Sequence, residues 1–88
     1  MIALHAFSGD WPTWEVHPMG DEVVCLMSGK IEFLLKTDNG IECVALSEPG
    51  SYVLVPKNTW HTARVEQAAS CLFITPGEGT RNEESPPA

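Results

Sequence analysis

Apolar residues along this chain come in short alternating runs, and no stretch keeps the spacing of an amphipathic helix. The runs predict eight strands: Ile2 to Phe7, Thr13 to His17, Glu22 to Met27, Ile31 to Lys36, Ile41 to Leu46, Tyr52 to Val55, Trp60 to Val65 and Ser70 to Thr75. Between them stand S-G-D-W-P, P-M-G-D, S-G-K, T-D-N-G, S-E-P-G, P-K-N-T and E-Q-A-A, most of them turn chemistry. T-D-N-G is a good hairpin signal, because Asn and Gly accept positive φ. Short strands at such even spacing predict an all-β sandwich or small barrel. Apolar content drops after Pro76, so residues 1–76 are expected to form one barrel domain and 77–88 a poorly ordered tail.

Alternation assigns faces. If Glu22 points inward, Val24 and Leu26 follow it, while Val23, Cys25 and Met27 point outward. The outward set is as apolar as the inward one. A strand apolar on both faces needs cover on both, and 88 residues have little to spare for that. A homodimer is therefore expected. By the same parity Trp14, Trp60 and Arg64 face outward, whereas Trp11, next to Pro12, is undetermined.

Charge narrows the partners. The formal net charge is −7, with only five Lys and Arg, which argues against nucleic-acid backbones and anionic membrane surfaces. The three cysteines, Cys25, Cys43 and Cys71, are far apart and lie in apolar runs; the odd count favours reduced thiols in a cytoplasmic protein. M-I-A-L-H-A-F is too short and too polar for a signal segment, and no apolar run is long enough for a transmembrane helix.

One stretch breaks the apolar logic. In E-V-H-P-M-G-D-E, Glu15 and His17 are two apart and share a strand face. The four residues Pro18 to Asp21 suit a hairpin loop, which would set His17 opposite Glu22 with Cβ atoms roughly 5 Å apart. Ionisable groups converging on the interior of so small a domain would cost several kcal/mol apiece without compensation. A divalent ion removes that cost, and carboxylate with imidazole suits Mn, Fe, Ni or Zn. A further histidine, His61, lies in another predicted strand; His5 is expected at the surface. For His17 alone a surface position beside the loop is the competing reading, and a one-residue bulge would turn Glu15 outward.

The spacings His17-(x4)-Glu22-(x6)-Gly29 and Gly50-(x5)-Pro56-x-Asn58-(x2)-His61 resemble the two motifs of the cupin superfamily, G-x5-H-x-H-x3–4-E-x6-G and G-x5-P-x-G-x2-H-x3-N. W-x-x-H-P-x-G-D-E also looks like small stand-alone cupins described as phosphomannose-isomerase-like. The resemblance covers about residues 10 to 80. It implies a double-stranded β-helix, or jelly roll, with a divalent metal ion held by His17, Glu22 and His61. Glu15 stands where the family has its first histidine, and a carboxylate is still a competent ligand. Asn58 replaces a glycine, which Asn tolerates in the left-handed region, and Val65 replaces the last asparagine.

Function then divides. One reading is a metal-dependent enzyme on a small polar or sugar-like substrate in the barrel; four ligands on an octahedral ion leave two positions for substrate, or for substrate and dioxygen. The other is a non-catalytic module that binds or senses a small molecule or a metal. A barrel kept for dimerisation alone is a third. Catalysis would want an acid or base apart from the ligands, and Tyr52 is the best candidate.

Overall fold

The computed structural model describes residues 1–87; residue 88, the last of the expected tail, lies outside them. Nine strands run β1 (Ile2–Phe7), β2 (Trp14–Val16), β3 (Glu22–Gly29), β4 (Ile31–Thr37), β5 (Gly40–Leu46), β6 (Tyr52–Val55), β7 (His61–Arg64), β8 (Ala69–Ile74) and β9 (Arg81–Glu83). They form two antiparallel sheets, β1-β8-β3-β6 and β5-β4-β7-β2-β9, with no helix among the described residues. The expected all-β jelly roll is the fold observed.

Period-two patterning places the core between the sheets. In β3 the inward Glu22, Val24 and Leu26 are buried, and Val53 and Val55 of β6 and Cys71 and Phe73 of β8 join them. Phe33 of β4 and Ala63 of β7 close the core from the other sheet. The T-D-N-G hairpin forms, with Thr37 opposite Gly40 and Lys36 opposite Ile41. Gly29 ends β3 at φ +78, a backbone angle costly to residues with a side chain.

Three expectations are corrected. β2 and β3 are not a hairpin: β2 pairs with β7 and β9 in one sheet, and β3 with β6 and β8 in the other. The four-residue loop crosses between sheets, so His17 and Glu22 meet across the barrel rather than along a strand pair. The segment after Pro76 does not simply trail away, because Arg81–Glu83 adds to the edge of β2 by backbone pairing that needs no apolar pattern. Tyr52, the acid candidate, alternates outward from the buried Val53 and Val55 and is exposed.

Candidate metal centre and pocket

Each donor is placed by a local feature of the sequence. Glu15 of β2 lies opposite His61 of β7, so the two side chains share one face of their sheet. His17 continues that face past the end of β2, because the following Pro18 disfavours helical geometry at its predecessor. Its carbonyl accepts the Asn58 N–H at 3.0 Å, and Asn58 itself turns the chain at φ 63, the left-handed geometry expected of it. Glu22 opens β3 in the facing sheet.

The four side chains converge. Glu22 Oε1 lies 3.1 Å from His61 Nε2, and Glu22 Oε2 lies 3.3 Å from His17 Nε2. Glu15 Oε1 is 3.7 Å from His17 Nε2, and Glu15, His17 and His61 each offer a donor atom within 4.8 Å of the others. Donors bound about 2.1 Å from a common ion stand about 3 to 4 Å apart, and the 3.1, 3.3 and 3.7 Å separations lie in that range. His17, Glu22 and His61 are all buried, and Glu15 is half-buried at the pocket side.

Hydrogen bonds around the cluster fix where the lone pairs point. His61 Nδ1 lies 3.0 Å from the Thr59 carbonyl, which can only accept, so Nδ1 carries a proton there. The Thr80 hydroxyl donates to the Gly77 carbonyl at 2.8 Å and therefore accepts from His17 Nδ1, also at 2.8 Å. In the neutral rings both Nε2 atoms are then lone-pair donors facing Glu22. His17 Nε2, His61 Nε2 and Glu22 Oε1 are buried and have no hydrogen-bond partner. Orphaned donors of this kind, converging from two sheets, fit a divalent cation. Glu22 Oε2 accepts from the buried Thr75 hydroxyl, which orients the carboxylate.

Electrostatics follow the same contacts. Burial pushes Glu22 up, but the two histidines and Thr75 outweigh it and hold the carboxyl near 2. Burial pulls His61 down, yet Glu22, the Thr59 carbonyl and Glu15 together raise it above its ordinary 6.5. In the metal-free protein a proton on His61 would compensate Glu22 at pH below that raised value; a cation would do the same and displace it. Burial pushes the Cys71 thiol to about 11, as expected of an inert buried cysteine.

A cavity of about 820 Å³ opens onto the cluster, with Glu15, His17 and Glu22 in its wall. Its remaining wall includes His5, Phe7, Trp11 and Phe73. Sequence reading left two of these out. His5 is exposed, as expected, and also lines the cavity, its ring centroid 5.4 Å from that of Phe73. Trp11 packs edge-on to Phe33 and His61, at 5.8 and 6.2 Å, from a loop where no strand parity applies. Parity could have found His5 had the inward face of β1 been decidable; Ala3, His5 and Phe7 alternate with an equally apolar Ile2 and Leu4. Trp60 lies outside the cavity wall, with the Arg81 guanidinium 5.4 Å from its ring centre.

No family model matches the chain, and no curated protein matches it. Solved structures do. Protein NMB1881 from Neisseria meningitidis is 26% identical with a TM-score of 0.70, over 84% of this chain and 70% of that one. Hydroquinone 1,2-dioxygenase from Sphingomonas sp. TTNP3, solved with 4-hydroxybenzoate bound, is 23% identical with a TM-score of 0.73. That likeness covers 84% of this chain but only 57% of the dioxygenase. A cupin-2 domain protein from Shewanella frigidimarina is 17% identical with a TM-score of 0.70, over 93% of this chain and 69% of that one. These likenesses do not extend to the phosphomannose-isomerase-like subtype. Both sequence motifs lie in a jelly roll whose fold is shared with these structures, a cupin-2 domain protein among them.

Proposed function

We propose that the barrel binds a divalent metal ion through Glu15, His17, Glu22 and His61 and takes a small molecule in the cavity beside it, as a metal-dependent enzyme. The observation that carries this reading is the set of three buried donor atoms, on His17, His61 and Glu22, that have no hydrogen-bond partner. Bound there, the ion would supply Lewis acidity and free coordination positions for a ligand oxygen.

The chain's own residues narrow the ligand. Glu15 and Glu22 together offset a 2+ charge, so the cavity suits an uncharged molecule better than an anion. His5, Phe7, Trp11 and Phe73 offer ring faces and edges to a flat or CH-rich body, such as an aromatic ring or a sugar face. His5 is a titratable group in the wall apart from the proposed ligands, which supports catalysis over passive holding. The unit is proposed to be one barrel domain acting as a homodimer in the cytoplasm. Three free cysteines support a reducing setting.

Metal analysis of protein purified without an affinity tag tests the centre. Wild type should carry about one ion per chain, falling sharply in His17→Ala and His61→Ala; unchanged stoichiometry in both would refute the assignment. Binding of neutral ring compounds to the loaded protein without any turnover would move the reading to a non-catalytic binding module.

A further inference from the structure

We propose that the outer face of the sheet β1-β8-β3-β6 is the contact surface of a two-fold homodimer, a step that rests on the homodimer reading and names its surface. Strand register builds this face in two rows. Ile2 of β1 pairs with Ile74 of β8, Ile74 with Val23 of β3, and Val23 with Leu54 of β6. In the next outward row Leu4 pairs with Leu72, Leu72 with Cys25, and Cys25 with Tyr52. Eight neighbouring outward positions across four strands thus hold no charged side chain, in a chain whose net charge is −7.

Much of this face is open. Ile2 is 73% exposed, Leu4 and Tyr52 64%, Leu54 48% and Ile74 46%. These five side chains leave on the order of 600 Å² of apolar surface, the upper end of what a monomer exposes in one patch. A standard interface buries about 800 Å² per partner, and half-buried Val23, Cys25 and Leu72 lie within the patch to contribute to it. The second copy is the occupant the face fits. Two such sheets can pack face to face at about 10 Å, and the contact is self-complementary because it contains no charge needing an opposite one. Two copies of charge −7 repel wherever carboxylates meet, so an uncharged face is where they approach at least cost.

Alternation keeps this surface apart from the metal centre. Glu22 and Val24 point into the barrel while Val23 and Cys25 point out, so outer-face substitutions leave the donor atoms in place. Sedimentation equilibrium of wild type, Leu4→Glu and Leu54→Glu tests the surface, with circular dichroism and metal content as controls. Wild type should be a dimer at micromolar concentration, and each variant should dissociate at least 100-fold more readily with metal content unchanged. A chromogenic aryl disulfide gives a second readout that needs no variant. The Cys25 thiol should react slowly in concentrated wild type and faster on dilution, while exposed Cys43 reacts at one rate throughout. A wild-type monomer at tens of micromolar, with Cys25 reactivity independent of dilution, would overturn both the homodimer and its surface. A dimer whose affinity moves less than threefold in both variants would overturn the surface alone.

Discussion

Thr80 lies in a segment that sequence reading set aside, yet its hydroxyl fixes a proposed metal ligand. Thr80→Val keeps the side-chain shape and removes one oxygen. That oxygen accepts the His17 Nδ1 proton and passes its own to the Gly77 carbonyl, both over 2.8 Å. Without it the buried His17 ring has an unpaired N–H, which costs about 1–3 kcal/mol, or it moves its proton to Nε2 and loses the lone pair facing Glu22. Loss of such an orienting partner weakens metal binding about 10–100-fold, or about 1.4–2.8 kcal/mol at 1.4 kcal/mol per tenfold. The two estimates overlap because they describe the same misplaced proton. Competition for Zn²⁺ between the protein and a chromophoric chelator at neutral pH measures the effect. Thr80→Val should bind 10–100-fold more weakly, and Thr80→Ser, which retains the hydroxyl, should stay near wild type. Wild-type affinity in Thr80→Val would refute the argument that the tail orients His17.

Three further outcomes are expected. In Gly29→Ala a Cβ would stand 2.0 Å from the Ala68 carbonyl oxygen at φ +78; the left-handed penalty alone is about 1–2 kcal/mol, so the melting temperature should fall by roughly 8 °C or more, and an unchanged value would show that β8 gives way freely. For the metal-free protein, Glu22 is depressed from 4.5 to about 2, so its contribution is present above 4.5 and lost as pH falls towards 2. His61 is raised above 6.5, so its contribution is present below 6.5 and lost as pH rises through the raised value. Thermal stability should therefore peak between about pH 4.5 and 6.5; a steady rise from pH 6.5 to 8.5 would contradict the His61–Glu22 pairing. Glu15→His exchanges a carboxylate for an imidazole and should shift competition between Mn²⁺ and Cu²⁺ towards copper, whereas identical selectivity would remove Glu15 from the donor set.

Much of this site could be read from the sequence, and the topology around it could not. The spacing from His17 through Glu22 to Gly29, with the second motif ending at His61, named three residues that the fold brings together. Parity assigned Glu22 and Val24 inward and Val23 and Cys25 outward. The spacing does not say which strands pair. Four residues between His17 and Glu22 fit a hairpin, and they equally fit a crossing between sheets; the choice was made by Glu15 meeting His61 far along the chain. Thr59, Thr75 and Thr80 gave no signal, because a backbone carbonyl or a lone hydroxyl becomes an orienting group only when tertiary structure sets it against a histidine or a carboxylate.

The crossing has a physical consequence that a hairpin would not. Had His17 and Glu22 been cross-strand neighbours, an ion on them would have stapled one local turn. Instead Glu22 comes from the sheet of β3, while Glu15, His17 and His61 come from or beside the sheet of β2 and β7. The same inward positions that would hold a cation thus join the two halves of the barrel through Glu22. In the metal-free state the tie is His61–Glu22 at 3.1 Å and His17–Glu22 at 3.3 Å, strongest when a proton sits between them. Replacing that proton by a cation would keep the halves together as pH rises through the raised value of His61, where the proton is otherwise lost. Two buried histidines and a buried carboxylate are therefore stable in so small a core under conditions set by what occupies the space among them.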